Sequence, residues 1–261
     1  MNSLIETESR GLPADRRRSM RTAGLGAATL LLLSVAALAM LVTAVITLFR
    51  RRRLYCEAIA ASTARAILRM WGVRFRVHQT EPFPESQTIY ISNHTSTLDV
   101  FILIALMLPN TRFFMWGGTR KWVPMAVMGH LTGTFYTPSQ TNRANRVKCF
   151  QRAERVLRRT GESVYLSPEG RRVTDGTIGP FNKGAFHLAT NLKAPIVPLY
   201  IDTPQEINPG LGFSALPGII NVYRRPSIPT CEWKLDELEM NKNRVRQLYV
   251  QFERELREKK Q

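Results

Sequence analysis

Cysteine and histidine are scarce in this chain, with three of the first and four of the second among 261 residues. Cys56, Cys149 and Cys231 stand far apart and form no C-x-x-C pair, so the common zinc and thiol-redox motifs are excluded. They read as reduced thiols in a reducing compartment. No G-x-S-x-G turn occurs, which argues against a serine hydrolase or thioesterase that presents its nucleophile on such an elbow. Acidic residues are few as well: 20 Asp and Glu face 37 Lys and Arg, a formal net charge of +17. There is no internal repeat and no low-complexity linker, which leaves one continuous domain beyond the N-terminal region. Disorder is excluded by an apolar content of 44%.

Charge is also missing locally. No charged residue lies between Thr22 and Phe49, a stretch rich in Leu, Ala and Val. About 20 apolar residues suffice to cross a bilayer core as a helix, and this run exceeds that. Arg16, Arg17, Arg18 and Arg21 precede it, and residues 50–53 contribute three arginines after Arg50. A basic block after the apolar run is foreign to a cleavable signal peptide and favours a retained membrane helix. With both flanks basic, the positive-inside bias nearly cancels. A re-entrant helical hairpin that returns both flanks to one side is therefore the alternative. The resulting division is a polar, basic and mobile N-terminus over residues 1–21, a transmembrane or re-entrant segment over 22–49, and one domain over 54–261.

Within that domain, residues 54–71 carry apolar side chains at helical spacing. Short apolar or alternating runs predict strands over residues 73–77, 88–92, 112–116, 134–137, 163–166, 196–201 and 219–223. Helical patterns fall between them over 98–107, 121–129, 142–159 and 184–192, with a charged one over 242–259. The alternation predicts an α/β fold: a mixed, largely parallel sheet flanked by helices, with the membrane helix or helical hairpin at its N-terminus.

Two strand ends carry chemistry. After the strand at 88–92 comes Asn93-His94-Thr95-Ser96-Thr97-Leu98-Asp99. Ser96 or Thr97 is placed to cap the next helix, with Asp99 in its first turn. A carboxylate on one imidazole nitrogen fixes the tautomer and stabilises the imidazolium, leaving the other nitrogen to take a proton from a hydroxyl. His78, His130 and His187 have no such setting. After the strand at 163–166 comes Ser167-Pro168-Glu169-Gly170-Arg171-Arg172, a turn that holds a carboxylate and two guanidiniums at its tip. Arginine suits an anionic headgroup, and Glu169 is placed to orient an arginine or accept a hydroxyl. Next, in Phe181-Asn182-Lys183-Gly184, Lys183 stands before a helix whose amides can meet an anion.

In this order the blocks resemble the glycerolipid acyltransferase family typified by 1-acylglycerol-3-phosphate acyltransferase, over about residues 73–225. The family's Asn-His-x-x-x-x-Asp matches Asn93 to Asp99. Its Phe-Pro-Glu-Gly-Thr-Arg is echoed by Ser167 to Arg172, its Phe-Lys-x-Gly by Phe181 to Gly184, and its Val-Pro by Val197-Pro198. The resemblance implies His94 as general base with Asp99 as its partner, and Glu169, Gly170 and Arg172 as binders of the acceptor and its phosphate. It implies acyl-CoA or acyl-acyl carrier protein as co-substrate. No cofactor and no metal are expected. The expected partners are the lipid bilayer, a lysophospholipid acceptor and the acyl donor, with the catalytic domain on the cytoplasmic side of the membrane.

Two departures bear on the acceptor. Ser139 stands about where the family places a phosphate-site Arg, with Arg143 or Arg146 as substitutes from the following helix, and Ser167 and Arg171 replace Phe and Thr. Lysophosphatidic acid is the first expectation and another lysolipid, such as lyso-ornithine lipid, the second. A non-catalytic membrane-tethered binding protein, such as one for nucleic acid, is a third reading motivated by the +17 charge. The basic residues gather at the N-terminal flanks, at residues 143–159 and at the C-terminus, with no aromatic-interleaved nucleic-acid motif among them.

Overall fold

The computed structural model describes residues 14–259 apart from 140, 211, 213 and 214, with side chains from residue 20 onward. Helix α1 (Ala14–Ile46) opens the chain. It starts before the apolar run, because Pro13 and Asp15 are residues that favour a helix N-terminus. The expected polar N-terminus is thus helical from Ala14; its residues 1–13 lie outside the described residues. Helix α1 runs unbroken to Ile46, so no hairpin turn lies in the middle of the apolar run. The chain reverses only at the end of that run, at Leu48 and Phe49, whose φ angles are 50° and 60°. Residues Met20–Ile46 are long and apolar enough to cross a membrane.

Past the reversal, a π-helical segment (Leu54–Ala60) continues into α2 (Ala61–Met70). Then follow β1 (Val73–His78), β2 (Ile89–Ser92), α3 (Leu98–Ala105) and β3 (Thr111–Trp116). A 3₁₀ turn (Gly117–Lys121) leads to α4 (Val123–Leu131) and β4 (Phe135–Thr137). Pro124 in the first turn sets where α4 starts. The chain continues through α5 (Arg143–Thr160), β5 (Ser163–Leu166), α6 (Gly184–Leu192), β6 (Ile196–Asp202), β7 (Gly218–Arg224) and α7 (Leu238–Glu258).

The seven strands form one sheet in the order β1-β7-β6-β2-β5-β3-β4. Strands β2 to β6 are mutually parallel, β7 runs antiparallel to β6, and β1 pairs parallel to β7. The sheet is therefore mixed and largely parallel, and the carboxyl ends of five strands share one edge. Such edges are where open α/β sheets hold ligands.

Both faces of the sheet are covered, as its composition requires. β2 is buried at every position. Its Ile89 and Ile91 join a core with Leu157, Phe186 and Phe252 from α5, α6 and α7. Tyr90, pointing the other way, joins Met40, Ile67, Ile102 and Met128 from α1 to α4. One face of α1 thus belongs to the domain core, through Leu33, Ala36, Ala37, Met40 and Ala44. The Trp71 indole N–H also donates to Thr29 Oγ1 at 3.0 Å. The opposite face of α1 exposes Leu31, Val35, Leu38 and Val45.

α7 is tied to the middle of the sheet by Tyr249, whose hydroxyl hydrogen is shared between Ile91 O at 2.9 Å and Leu199 O at 3.0 Å. Replacing Tyr249 with Phe removes that donor inside a fully covered layer. Denaturant melts of the Tyr249→Phe protein should show a loss of about 1 kcal/mol; an unchanged midpoint would contradict this role.

Candidate active site

The site begins where β2 ends. Ser92 Oγ donates to Asn93 O at 2.7 Å, so the Tyr165 hydroxyl, 2.9 Å away, is the donor to Ser92. The buried Asn93 amide then imitates a strand: Nδ2 donates to Ile201 O at 2.9 Å and Oδ1 accepts from Ile201 N at 2.8 Å. This side chain continues the β2–β6 pairing for one residue beyond the strand and fixes the point where the chain turns off the sheet.

His94 follows at once. Its Nδ1 lies 2.8 Å from Asp99 Oδ2. The same Oδ2 accepts the Thr95 N–H at 2.7 Å and the Ser96 N–H at 2.9 Å, and Oδ1 accepts the Ser96 hydroxyl at 2.9 Å. Every other partner of Asp99 is a donor, so Nδ1 must carry a proton toward it. The tautomer is thereby set, and Nε2 keeps its lone pair. The Asp99 side chain is fully buried, whereas that of His94 is 30% exposed. Ser96 also caps α3 by accepting the Leu98 N–H at 3.1 Å. Thr97 holds the N-cap position without making a cap bond.

The loop after β5 is built around this turn. Glu169 Oε2 accepts the His94 N–H at 2.7 Å and Oε1 accepts the Gly179 N–H at 2.8 Å. Val173 N–H donates to His94 O at 2.8 Å. Gly170 completes the turn in the left-handed region, at φ 66°. Asn182 secures the loop from below: its Nδ2 donates to Pro168 O at 3.0 Å and to Glu169 O at 2.9 Å. Arg246 of α7 holds the Gly179 and Ile178 carbonyls, each at 2.8 Å. Burial pushes the Glu169 carboxyl up to about 7, against the two amide bonds and the neighbouring His94, which favour its charged form.

Among the expected binding residues, Arg172 is brought to the site. Its Nη1 donates to Thr97 Oγ1 at 2.6 Å, beside the His94 turn. Glu169 has backbone amides as its partners, not an arginine, because it is folded inward under His94. Lys183 is engaged elsewhere: it stands at the start of α6 and its ammonium pairs with Glu239 of α7 at 2.8 Å. Arg143 is exposed in the first turn of α5. The strand order leaves β4, which precedes it, three spacings from β2, or about 14 Å at about 4.8 Å each. Ser139 Oγ lies 3.0 Å from Thr141 Oγ1. Ser96 caps α3 as expected, whereas its bond to Asp99 and the supporting roles of Asn93 and Asn182 were not anticipated. Short amides and hydroxyls at strand ends were the available signal, since these side chains substitute for backbone partners.

These elements can remove a proton from a substrate hydroxyl at Nε2 and place an anion near Arg172. The chain is similar to known acyltransferases. Residues 74–202 match the family model described as Acyltransferase. A protein of Limnanthes douglasii described as 1-acyl-sn-glycerol-3-phosphate acyltransferase is 27% identical over 187 residues, 70% of this chain and 65% of its own. The alpha form of that enzyme from Homo sapiens is 27% identical over 194 residues, 72% of this chain and 66% of its own. The chain thus spans about 65% of the length of these relatives. The crystal structure of the 1-acyl-sn-glycerophosphate acyltransferase PlsC from Thermotoga maritima shares the fold, with a TM-score of 0.72 at 17% identity over 90% of this chain and 97% of that one.

The buried Glu169 gives a stability test. Its carboxyl binds a proton more readily in the folded chain, at about 7, than at its ordinary 4.5. That contribution is complete below about pH 4.5 and is lost as pH rises through about 7, by up to about 3 kcal/mol. Denaturant melts at pH 5 and pH 8 should reveal this fall in the parent protein and a flatter profile in Glu169→Gln. Parallel profiles for the two would refute it.

Proposed function

We propose, from the match of residues 74–202 to the Acyltransferase family model, that the chain is a member of that family and acylates a lysophospholipid. The acceptor is the free hydroxyl of 1-acylglycerol-3-phosphate, and the product is phosphatidic acid. The donor is an acyl thioester, acyl-CoA or acyl-acyl carrier protein.

In this mechanism Nε2 of His94 takes the acceptor's hydroxyl proton as its oxygen attacks the thioester carbonyl. The tetrahedral adduct expels the thiolate as the C–S bond breaks. The imidazolium returns its proton to that sulfur. Asp99 stabilises the transient imidazolium through Nδ1 and keeps the ring from turning. Arg172 meets the acceptor's phosphate. An apolar cavity of about 190 Å³ is lined by Val100 and Ile104 of α3, Phe113 and Met115 of β3 and Met125 of α4, with Arg52 and Glu162 also on its wall, and would take an acyl chain. The apolar outer face of α1 would hold the domain at a bilayer, where acceptor and product reside. The catalytic domain would face the cytoplasm.

The observation that carries this reading is the Nδ1 contact to a carboxylate already saturated with donors, because it leaves a basic nitrogen toward solvent. His94→Ala should lower acyl transfer about 10²–10⁴-fold without shifting the melting midpoint. Full transfer by that variant would end the proposal. Arg172→Ala should raise KM for lysophosphatidic acid more than for an uncharged monoacylglycerol. The second reading, a lyso-aminolipid such as lyso-ornithine lipid, draws on Ser139, which leaves no guanidinium at the end of β4. A panel of lysolipid acceptors distinguishes the two.

A further inference from the structure

The turn between β3 and α4 presents large apolar side chains to solvent. Trp116 is 66% exposed, Trp122 53% and Val123 72%. Leaving such area in water costs about 25 cal/mol per Å², and among the described residues nothing covers it. Trp116 is nonetheless held in one pose: its ring lies across Gly118, where a Cβ would come within 2.2 Å of Cη2. Arg120 and Lys121 project from the same turn. The surrounding sequence has one sign of charge, since no Asp or Glu occurs from residue 100 to residue 153. Indoles beside cations, with no acid nearby, match the headgroup layer of an anionic bilayer. The surface is also continuous with a larger apolar one, because α4 packs along α1, whose outer face is exposed leucine and valine.

We propose that the turn over residues 116–123 is a second membrane contact, distinct from α1. In it Trp116, Trp122 and Val123 enter the boundary between headgroups and acyl chains, and Arg120 and Lys121 meet lipid phosphates. Because the turn leaves β3 at the sheet edge that also carries His94, this contact turns the site toward the lipid. The inference rests on the reading that α1 engages a bilayer, and adds to it how the domain is oriented.

The test uses the full chain in vesicles of phosphatidylglycerol and phosphatidylcholine, some carrying bromine on the acyl chains. Tryptophan fluorescence should be quenched by the brominated lipid, and the Trp116→Phe/Trp122→Phe protein should lose at least half of that quenching, since Trp71 is buried inside the domain against α1 and Trp233 packs on the other face of the sheet. Aqueous iodide should quench the parent at least twofold less with the vesicles present than without them, a comparison that needs no substitution. Bromolipid quenching that survives the double substitution undiminished, or full iodide access in vesicles, would overturn the proposal. Acyl transfer is measured in the same vesicles. Lost quenching contrast with normal transfer sinks only this contact, whereas normal quenching without transfer sinks only the catalytic reading. A parent protein that does not float with vesicles at all sinks the membrane role of α1 and this contact together.

Discussion

Both hydrogen-bonding groups of the His94 backbone are taken by the loop after β5, its N–H by Glu169 at 2.7 Å and its carbonyl by Val173 N–H at 2.8 Å. The side chain is held separately, by Asp99. With the peptide unit and the ring each fixed, the imidazole cannot follow thermal motion of either loop alone. Strands β2 and β5 are neighbours in parallel register, which is why their two loops leave the sheet close enough for this to happen. Much of the surrounding structure serves that proximity: Asn93 pins the end of β2 to β6, and Asn182 and Arg246 brace the loop that carries Glu169.

The electrostatics of this edge follow from how its two acids are used. Asp99 and Glu169 are both buried; Glu169 accepts from two main-chain donors, and Asp99 from two main-chain and two side-chain donors. Neither one neutralises Arg172, whose observed partner is a hydroxyl. A guanidinium paired to a neutral group keeps its charge available to an anion. The remaining cations are distributed differently. Lys183 is neutralised by Glu239, and Arg52 and Arg112 converge on Glu162 at the opposite edge of the sheet.

How much of this could be read beforehand depends on the range of the forces involved. The seven strands announced themselves because each is a short apolar run, buried as β2 is or alternating as β7 is, and local pattern suffices for that. The pairing of His94 with Asp99 was legible because five residues across a strand end and a first helical turn leave little freedom. The partners of Glu169 were hidden for the opposite reason. Its partners, His94 and Gly179, lie 75 and 10 residues away, and only the sheet order brings them together. The ion pair of Lys183 with Glu239 and the three strand spacings between β4 and β2, which bear on Arg143, are likewise set by strand order and packing, which charge alone does not reveal. The reversal after α1 was hidden too, since Leu48 and Phe49 are not residues that normally adopt positive φ.

The pairing of β1 with β7 joins residues 73–78 to residues 218–224. During biosynthesis, therefore, β6 leaves the ribosome with an open flank that stays bare until β7 emerges, and β1 waits through some 140 intervening residues for its neighbour. The sheet closes on that side last. An apolar strand with an unsatisfied edge is the usual template for pairing between chains, so the nascent chain passes through its most association-prone stage just before the domain is complete.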